Sequence, residues 1–389
     1  MSLPILAEFL LPTRIIFGAG SLARLGDEVR ALGAGRVVVS TDKGIAASGI
    51  LEQALAALRS AGVTATVFDA VEPEPSVGTV GRLRALFQSE GAGALVAVGG
   101  GSAIDAAKAA AIWATNGGHL PDYAGVDKFA TAPVPVLAIP TTAGTGAEVS
   151  WAAAITDLER HVKFTIRHLR YNRARVAILD PSLLPSVPTV VAVDAGLDAL
   201  AHAVESYTAL KADHFSEALS LHAVELIGAN LRPFVGDRAD VAAGAAMLAA
   251  SAMASIAFST AGTGNAHCLA RFVGPALGTT HGRTNAILLP HVVAFNAASS
   301  PAKYARVAQA LGEPVAGMPE REAAPRAAVA VANLCRDLGV PAGFRAFKPD
   351  AALITALARD AADSGYNQWN PRFTTYEDFV ALLEQLWAS

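Results

Sequence analysis

The chain is expected to fold as an α/β N-terminal domain followed by an all-α C-terminal domain. Three observations support that class: β-rich and helical runs alternate through the first half, strand signals fade after about Val193, and a proline cluster lies between the two regimes. Residues 36–40, 64–68 and 94–98 are short β-rich runs, and helical patterns fill about 51–61 and the stretch up to Gln88 between them. Parallel βαβ units have this rhythm. Further runs at 134–139, ending at Pro140, and at 176–179, ending at Asp180-Pro181, extend the sheet. From Val193, Ala/Leu-rich helical stretches continue almost to Ser389. Pro181, Pro185 and Pro188 interrupt any helix, so the boundary is placed there, with residues 1–184 forming the α/β domain and 185–389 the helical one.

Composition agrees with two domains and excludes some partners. At 389 residues, 52% hydrophobic and 16% charged, the chain exceeds what one core usually supports. A formal charge of −4 provides no cationic excess for nucleic acid or an anionic membrane. The two cysteines, Cys268 and Cys335, are too few for a disulfide framework and lack structural zinc spacing, which suits a reducing, cytoplasmic setting. The N-terminus, with Glu8 among apolar residues, has no basic n-region or small-residue cleavage site, so no targeting segment is expected. Residues 241–258 carry no charge and approach the length of a membrane span. They are mostly alanine, serine and glycine, and a helix apolar all round is also what the centre of a large soluble domain requires.

The run Val98-Gly99-Gly100-Gly101-Ser102-Ala103-Ile104-Asp105 reads as a buried strand, a glycine turn and a helix start. Glycines let a phosphate approach the backbone, and the new helix offers unpaired N–H groups and a positive dipole end. The pattern differs from Gly-x-Gly-x-x-Gly, and a plain structural turn is the alternative. Asp42, at the end of the run 37–41, is placed to accept from adenosine ribose hydroxyls and repel a 2′-phosphate, favouring NAD over NADP. A simple cap of the following turn is the other reading of Asp42. After 134–139 comes Pro140-Thr141-Thr142-Ala143-Gly144-Thr145-Gly146-Ala147-Glu148, a dense set of hydroxyls and glycines able to donate to phosphate and nicotinamide, or a hydroxyl-capped loop.

Asp198 and His202, followed by Glu205, are spaced i,i+4, which puts carboxylate and imidazole on one helix face where both can reach a single cation. His267 and His281 follow, separated by the breakers Gly274, Pro275 and Gly278, and so sit on different elements. One carboxylate with three imidazoles is a plausible Fe(II) or Zn(II) shell with room for a substrate oxygen. Taken alone, His202 also reads as a satisfied core histidine. His119, His161, His168, His214 and His222 fall in no such arrangement and are expected at the surface or as caps, and His291 is expected to be structural at a turn.

Together these residues resemble the iron-containing, or group III, alcohol dehydrogenase family over nearly the whole chain. The elements are Ser40-Thr41-Asp42-Lys43, the 99–105 run, Ala138 to Gly146, Asp198 to Glu205, Thr280-His281-Gly282 through Leu289-Pro290-His291, and Asn370-Pro371-Arg372 with Glu377-Asp378. The resemblance implies the dehydroquinate synthase-like fold, with an N-terminal NAD(P) domain and a C-terminal helical domain that holds the metal in the cleft between them. Asp198, His202, His267 and His281 match the family's metal ligands. Gly101, Ser102, Thr141, Thr142, Thr145 and Ser150 fall where the family contacts the dinucleotide, and Lys163 matches a lysine near the nicotinamide. Gly99, Gly100 and Asp105 complete the expected cofactor set.

Two positions depart from the family pattern. Ala147 stands where the family usually has serine. Arg271 stands where the family usually carries a histidine, four residues after the third ligand, that relays a proton. Arginine does not give up its proton near neutral pH but forks its donors towards a carboxylate, phosphonate, sulfonate or phosphate. No other Lys or Arg lies between His267 and His281. The expected enzyme therefore interconverts a small alcohol and an aldehyde or ketone with NAD(H), the substrate bearing an acidic group held by Arg271. The alternative is a neutral substrate with Arg271 turned outward. The proton would leave through water or the cofactor ribose hydroxyl. Maleylacetate reductase-like and dehydroquinate synthase-like enzymes are the competing readings, a non-catalytic binding protein is a third, and a homodimer is the expected assembly.

Overall fold

A computed structural model describes residues 8–160, 162–347 and 351–389. Residues 1–7, over which no targeting segment is expected, and His161 lie outside the described residues. The chain divides into two compact units, Leu10–Val187 and Pro188–Ser389, with Phe9 grouped with the second.

In the first unit the elements run β1 (Arg14–Phe17), α1 (Leu25–Ala31), β2 (Arg36–Ser40), α2 (Lys43–Ala47), α3 (Ile50–Ser60), β3 (Thr64–Phe68), α4 (Val77–Ser89), β4 (Ala94–Gly99), α5 (Gly101–Asn116), β5 (Gly125–Val126), β6 (Val136–Pro140), β7 (Ala152–Asp157), β8 (Val162–Arg167) and β9 (Val176–Leu179). Six strands form one parallel sheet in the order β1-β9-β6-β4-β2-β3. Strand alternation builds its two cores: Val38, Leu95 and Ala97 face one layer with Leu83 and Ile104, while Val37, Val39, Val96 and Val98 face the other with Leu25, Val29 and Leu58. The five strands expected from sequence lie in this sheet; β1 was not anticipated. A second sheet, β5-β8-β7, was also missed. Its antiparallel β7–β8 pair opens with Ala152-Ala153-Ala154, which carries no β-branched signal.

The second unit is helical throughout: α6 (Thr189–Thr208), α7 (His214–Gly236), α8 (Val241–Ala261), α9 (Asn265–Leu277), α10 (His281–Asn296), α11 (Pro301–Ala310), α12 (Glu320–Ala323), α13 (Arg326–Asp337), α14 (Ala351–Asp363) and α15 (Tyr376–Ala388). Asp213, Asp240 and Thr375 cap α7, α8 and α15, and capping boxes close at Asp213/Ser216 and Thr375/Asp378. Among the described residues α8 is the helix long and apolar enough to cross a membrane. It packs against α6 and α7, burying Met247, Leu248, Ala250, Ala254 and Ile256, as the centre of a helical domain would. His291, expected at a turn, instead lies inside α10, where Nε2 lies 2.8 Å from the Ala342 carbonyl. Pro290 precedes it within the same helix.

Candidate active site

In the first unit the strand order reverses between β2 and β4, because β3 lies outside β2 and the chain returns to place β4 on its other side. Ligands of doubly wound sheets bind beyond the carboxyl ends of the strands at such a point. Of the expected cofactor residues, Asp42, Gly99, Gly100, Gly101, Thr141, Thr142 and Thr145 lie together there. Gly99 ends β4 at φ +156°, and a Cβ on it would meet the Ala103 Cβ at 2.8 Å, so only glycine fits. A Cβ on Gly101 would lie 2.9 Å from Thr145 Oγ1, and one on Gly100 would lie 3.4 Å from Thr142 Oγ1. The glycine turn and the hydroxyl loop after β6 thus share one small space, tied by Thr141 N–H donating to the Gly99 carbonyl at 3.1 Å. Asp42 caps α2, its Oδ1 accepting from Ile45 N–H at 3.0 Å, while its Oδ2 lies 3.6 Å from where a Gly99 Cβ would stand. The capping and turn-facing positions of Asp42 therefore coexist, one oxygen each.

The other members of the expected set are engaged within the protein. Ser102 Oγ accepts from Glu74 N–H at 3.2 Å, and Lys163 Nζ pairs with Glu74 Oε1 at 2.8 Å. Glu74 is one of two non-glycine residues at positive φ among those described, at 56°. Backbone strain of this kind collects at functional sites. Asp105 Oδ2 accepts from Ala154 N–H at 2.9 Å, so this carboxylate braces β7 against α5. Ser150 Oγ is 3.2 Å from Lys108 Nζ, a buried ammonium that the sequence reading missed. Lys108 also donates to the carbonyls of Ala147 at 3.0 Å, Ser150 at 3.1 Å and Ala152 at 2.5 Å, which fastens the far end of the hydroxyl loop to α5. Burial, with Arg173 adding to it, pushes the Lys108 amine down to about 8; burial likewise pushes the neighbouring Glu148 carboxyl up to about 7.

In the second unit α6, α9 and α10 bring Asp198, His267 and His281 together, with one ligand atom from each lying within 4.8 Å of the others. His267 Nε2 and His281 Nε2 stand 3.7 and 3.8 Å from Asp198 Oδ1. His202 flanks this trio, its Nδ1 3.7 Å from Asp198 Oδ2 and its ring 4.2 Å from that of His267 and stacked on Phe258 at 4.5 Å. Asn285 Nδ2 donates to Asp198 Oδ1 at 2.8 Å and lies 3.1 Å from His281 Nε2. Two buried nitrogens, His202 Nδ1 and His267 Nε2, have no hydrogen-bond partner. Buried polar atoms are rarely left so, and lone pairs on neutral imidazoles beside a carboxylate suit a divalent cation.

The electrostatics fit the same ion. Burial, with the charge of His267 adding to it, pushes His202 down to about 3 and keeps it neutral. At His267 burial opposes the charged ring, but the hydrogen bond and charge of Glu205 outweigh it and raise its pKa. Nδ1 lies 2.7 Å from Glu205 Oε2, so the nitrogen towards Asp198 is the one two carboxylates would charge, and the field that holds a proton there also holds a metal cation. Arg271 lies one helical turn after His267 on α9, its guanidinium 4.2 Å above the ring of Tyr366. Asn285 and Asn370 were not read as site residues, because an amide carries no metal-ligand signature.

A parallel sheet with a glycine turn at its switch point and a helical unit with an Asp/His cluster of metal-ligand type are the features of a nucleotide- and metal-dependent enzyme. Comparison with known proteins identifies the family. The model described as iron-containing alcohol dehydrogenase matches residues 12–181, and that of the Fe-containing alcohol dehydrogenase family, C-terminal, matches 192–387. The chain is 34% identical to the NAD-dependent methanol dehydrogenase of Bacillus methanolicus, covering 97% of this chain and 99% of that one. It is 35% identical to the 1,3-propanediol dehydrogenase of Klebsiella pneumoniae, covering 97% and 98%. A crystal structure of a 1,3-propanediol oxidoreductase superposes with TM-score 0.95 at 34% identity, covering 98% of this chain and all of the other. The chain belongs to the iron-containing alcohol dehydrogenase family and is an oxidoreductase of that kind.

Proposed function

We propose that this enzyme interconverts a small alcohol and its aldehyde or ketone with NAD(H), at a centre where Asp198, His202, His267 and His281 hold Fe(II) or Zn(II). The observation that carries this reading is the pair of partnerless buried nitrogens, His202 Nδ1 and His267 Nε2, beside one carboxylate. A divalent cation there supplies Lewis acidity to the substrate oxygen and lowers the alcohol's pKa. The nicotinamide supplies the hydride chemistry, alcohol and NAD+ giving carbonyl, NADH and a proton. The chain's residues orient and hold: Glu205 sets the His267 tautomer, and Asn285 fixes Asp198. The carboxylate of Asp42 beside the glycine turn supports NAD over NADP.

The substrate reading extends to an acidic group held by Arg271. The Arg271 guanidinium stacks on the ring of Tyr366, and a guanidinium recognises oxyanions through its fork of N–H donors. A neutral short alcohol is the second reading, favoured by the methanol and 1,3-propanediol relatives. NADH oxidation by metal-reconstituted wild type and Arg271→His separates them, with neutral short aldehydes set against carboxylate-, phosphonate- and sulfonate-bearing ones. Preference for the anionic aldehydes that Arg271→His reverses supports the clamp. Preference for neutral aldehydes, with Arg271→His turning over faster, assigns the position to a lost proton relay.

A further inference from the structure

Helix α9 carries His267 in its first turn, yet the residue at its N-cap is Gly264, which has no side chain with which to cap it. The N–H groups of that turn are satisfied from far along the chain. Glu205 accepts from Gly264 N at 2.9 Å, Ala266 N at 2.6 Å and His267 N at 3.4 Å, and the remaining one, Asn265 N, donates to Asn370 Oδ1 at 3.2 Å. Asn370 is itself held on both sides of its amide: it exchanges two hydrogen bonds of 2.9 Å with Asn296, and its Nδ2 donates to the Arg372 carbonyl at 2.7 Å. The side chain of Asn265 closes the loop by donating to Thr374 Oγ1 at 2.9 Å. Asn265, Asn296 and Asn370 are all buried.

A side chain at position 264 would crowd this network. A Cβ on Gly264 would meet Asn370 Oδ1 at 2.7 Å and Glu205 Oε1 at 3.0 Å. Two residues upstream, Gly262 sits at φ +80°, where a Cβ would meet the Trp369 ring at 2.6 Å. The segment 369–374 is therefore seated on the glycines that lead into α9.

We propose that Asn370 is a positioning residue of the metal centre, accepting from Asn265 N–H and so completing, from the C-terminal segment and beside Glu205, the cap of α9 that fixes where His267 presents Nε2. The proposal rests on the reading of His267 as a metal ligand. Without the Asn370 carboxamide, Asn265 N–H and Asn296 lose buried partners and the first turn of α9 can shift, displacing His267 against Asp198. Outer partners that orient metal-binding histidines typically change metal affinity by about 10- to 100-fold when removed.

The test is Zn2+ affinity of the chelator-stripped full chain, measured by competition with a chromophoric chelator, together with the visible spectrum of the Co2+ form, which reports ligand geometry. The variants are Asn370→Ala, Asn296→Ala, His267→Ala and Leu386→Ala. Leu386 is buried in α15, so its truncation costs stability without touching this network. Asn370→Ala is expected to weaken Zn2+ by about 10- to 100-fold and alter the Co2+ spectrum, Asn296→Ala to do so to a smaller degree, and Leu386→Ala to lower thermal stability with Zn2+ affinity unchanged. If Asn370→Ala does not fold, Asn296→Ala, which removes only the brace, decides. Zn2+ binding that depends on His267 but is untouched by Asn370→Ala and Asn296→Ala, or weakened no more than by Leu386→Ala, overturns the proposal alone. Wild type that takes up no Zn2+, or His267→Ala that binds as tightly as wild type, overturns the metal reading and this proposal with it.

Discussion

Asn285 donates from Nδ2 to Asp198 Oδ1 at 2.8 Å, joining α10 to α6 at the centre of the metal cluster. Asp198 is buried; desolvation alone would raise its pKa, but the imidazoles of His202, His281 and His267, with the Asn285 amide, keep it below the ordinary value and hence ionised. Asn285 Nδ2 also lies 3.1 Å from His281 Nε2.

Asn285→Ala is therefore expected to weaken divalent-metal affinity by about 10-fold or more while leaving NADH affinity unchanged. Titration of Zn2+ and of NADH into the same variant checks both halves. Equal loss for both ligands would mean a general folding defect instead.

The buried charges around Lys108 make a pH prediction. Glu148 is raised to about 7 in the folded protein from an ordinary value of 4.5, so between those pH values the folded chain binds more protons than the unfolded one. Stability must then fall as pH rises through that window. Glu148→Gln removes the term. Its thermal stability relative to wild type should improve by about 1–3 kcal/mol between pH 5 and pH 7.5. A wild-type and variant difference that stays constant with pH contradicts the assignment. For Lys108 the sign is opposite: lowered to about 8 from 10.5, it adds stability as pH rises between those values.

Lys108→Met leaves the carbonyls of Ala147, Ser150 and Ala152 without their ammonium donor and removes the counter-charge nearest Asp105, 3.9 Å away. We expect a loss of about 3–5 kcal/mol of stability, as when one partner of a buried charged network is removed. NADH affinity should fall as the hydroxyl loop loosens. Chemical denaturation and NADH titration give the two readings; a variant as stable as wild type would show that the loop does not depend on this anchor.

Much of this architecture is legible in the sequence because its signals are local. The runs that became β2, β3, β4, β6 and β9 are short, β-rich and bounded by breakers, and Asp198/His202 fall on one face of a helix by spacing alone. What was not legible depends on long-range partners. Lys108 reads as one lysine in an alanine-rich helix, and only the fold shows its ammonium among the carbonyls of residues 147, 150 and 152. Glu74 gives no hint of its φ of 56° or of its link from Ser102 to Lys163. Asn370 meets Asn265 across 105 residues. The strand β7, built on alanines, takes its conformation from pairing with β8 rather than from propensity.

Asp42 provides a test of cofactor choice. With Oδ2 beside the Gly99 turn, wild type should prefer NADH, and Asp42→Gly should shift the kcat/KM ratio towards NADPH by roughly 10-fold or more, since a like charge against the 2′-phosphate is removed. Steady-state rates with both cofactors at one fixed aldehyde concentration decide it. An unchanged ratio would leave Asp42 as a cap of α2 only.

The measurement that bears most directly on the whole reading is NADH oxidation with a panel of short aldehydes by chelator-stripped wild type, by the same protein reconstituted with Fe(II) or Zn(II), and by His267→Ala. The account predicts turnover stoichiometric in NADH and aldehyde that appears on reconstitution and falls by roughly 10²–10³-fold in the variant, the loss of several kcal/mol of charge stabilisation. Stripped protein that oxidises NADH with aldehyde as fast as the reconstituted form, or a His267→Ala variant that matches wild type, would contradict it.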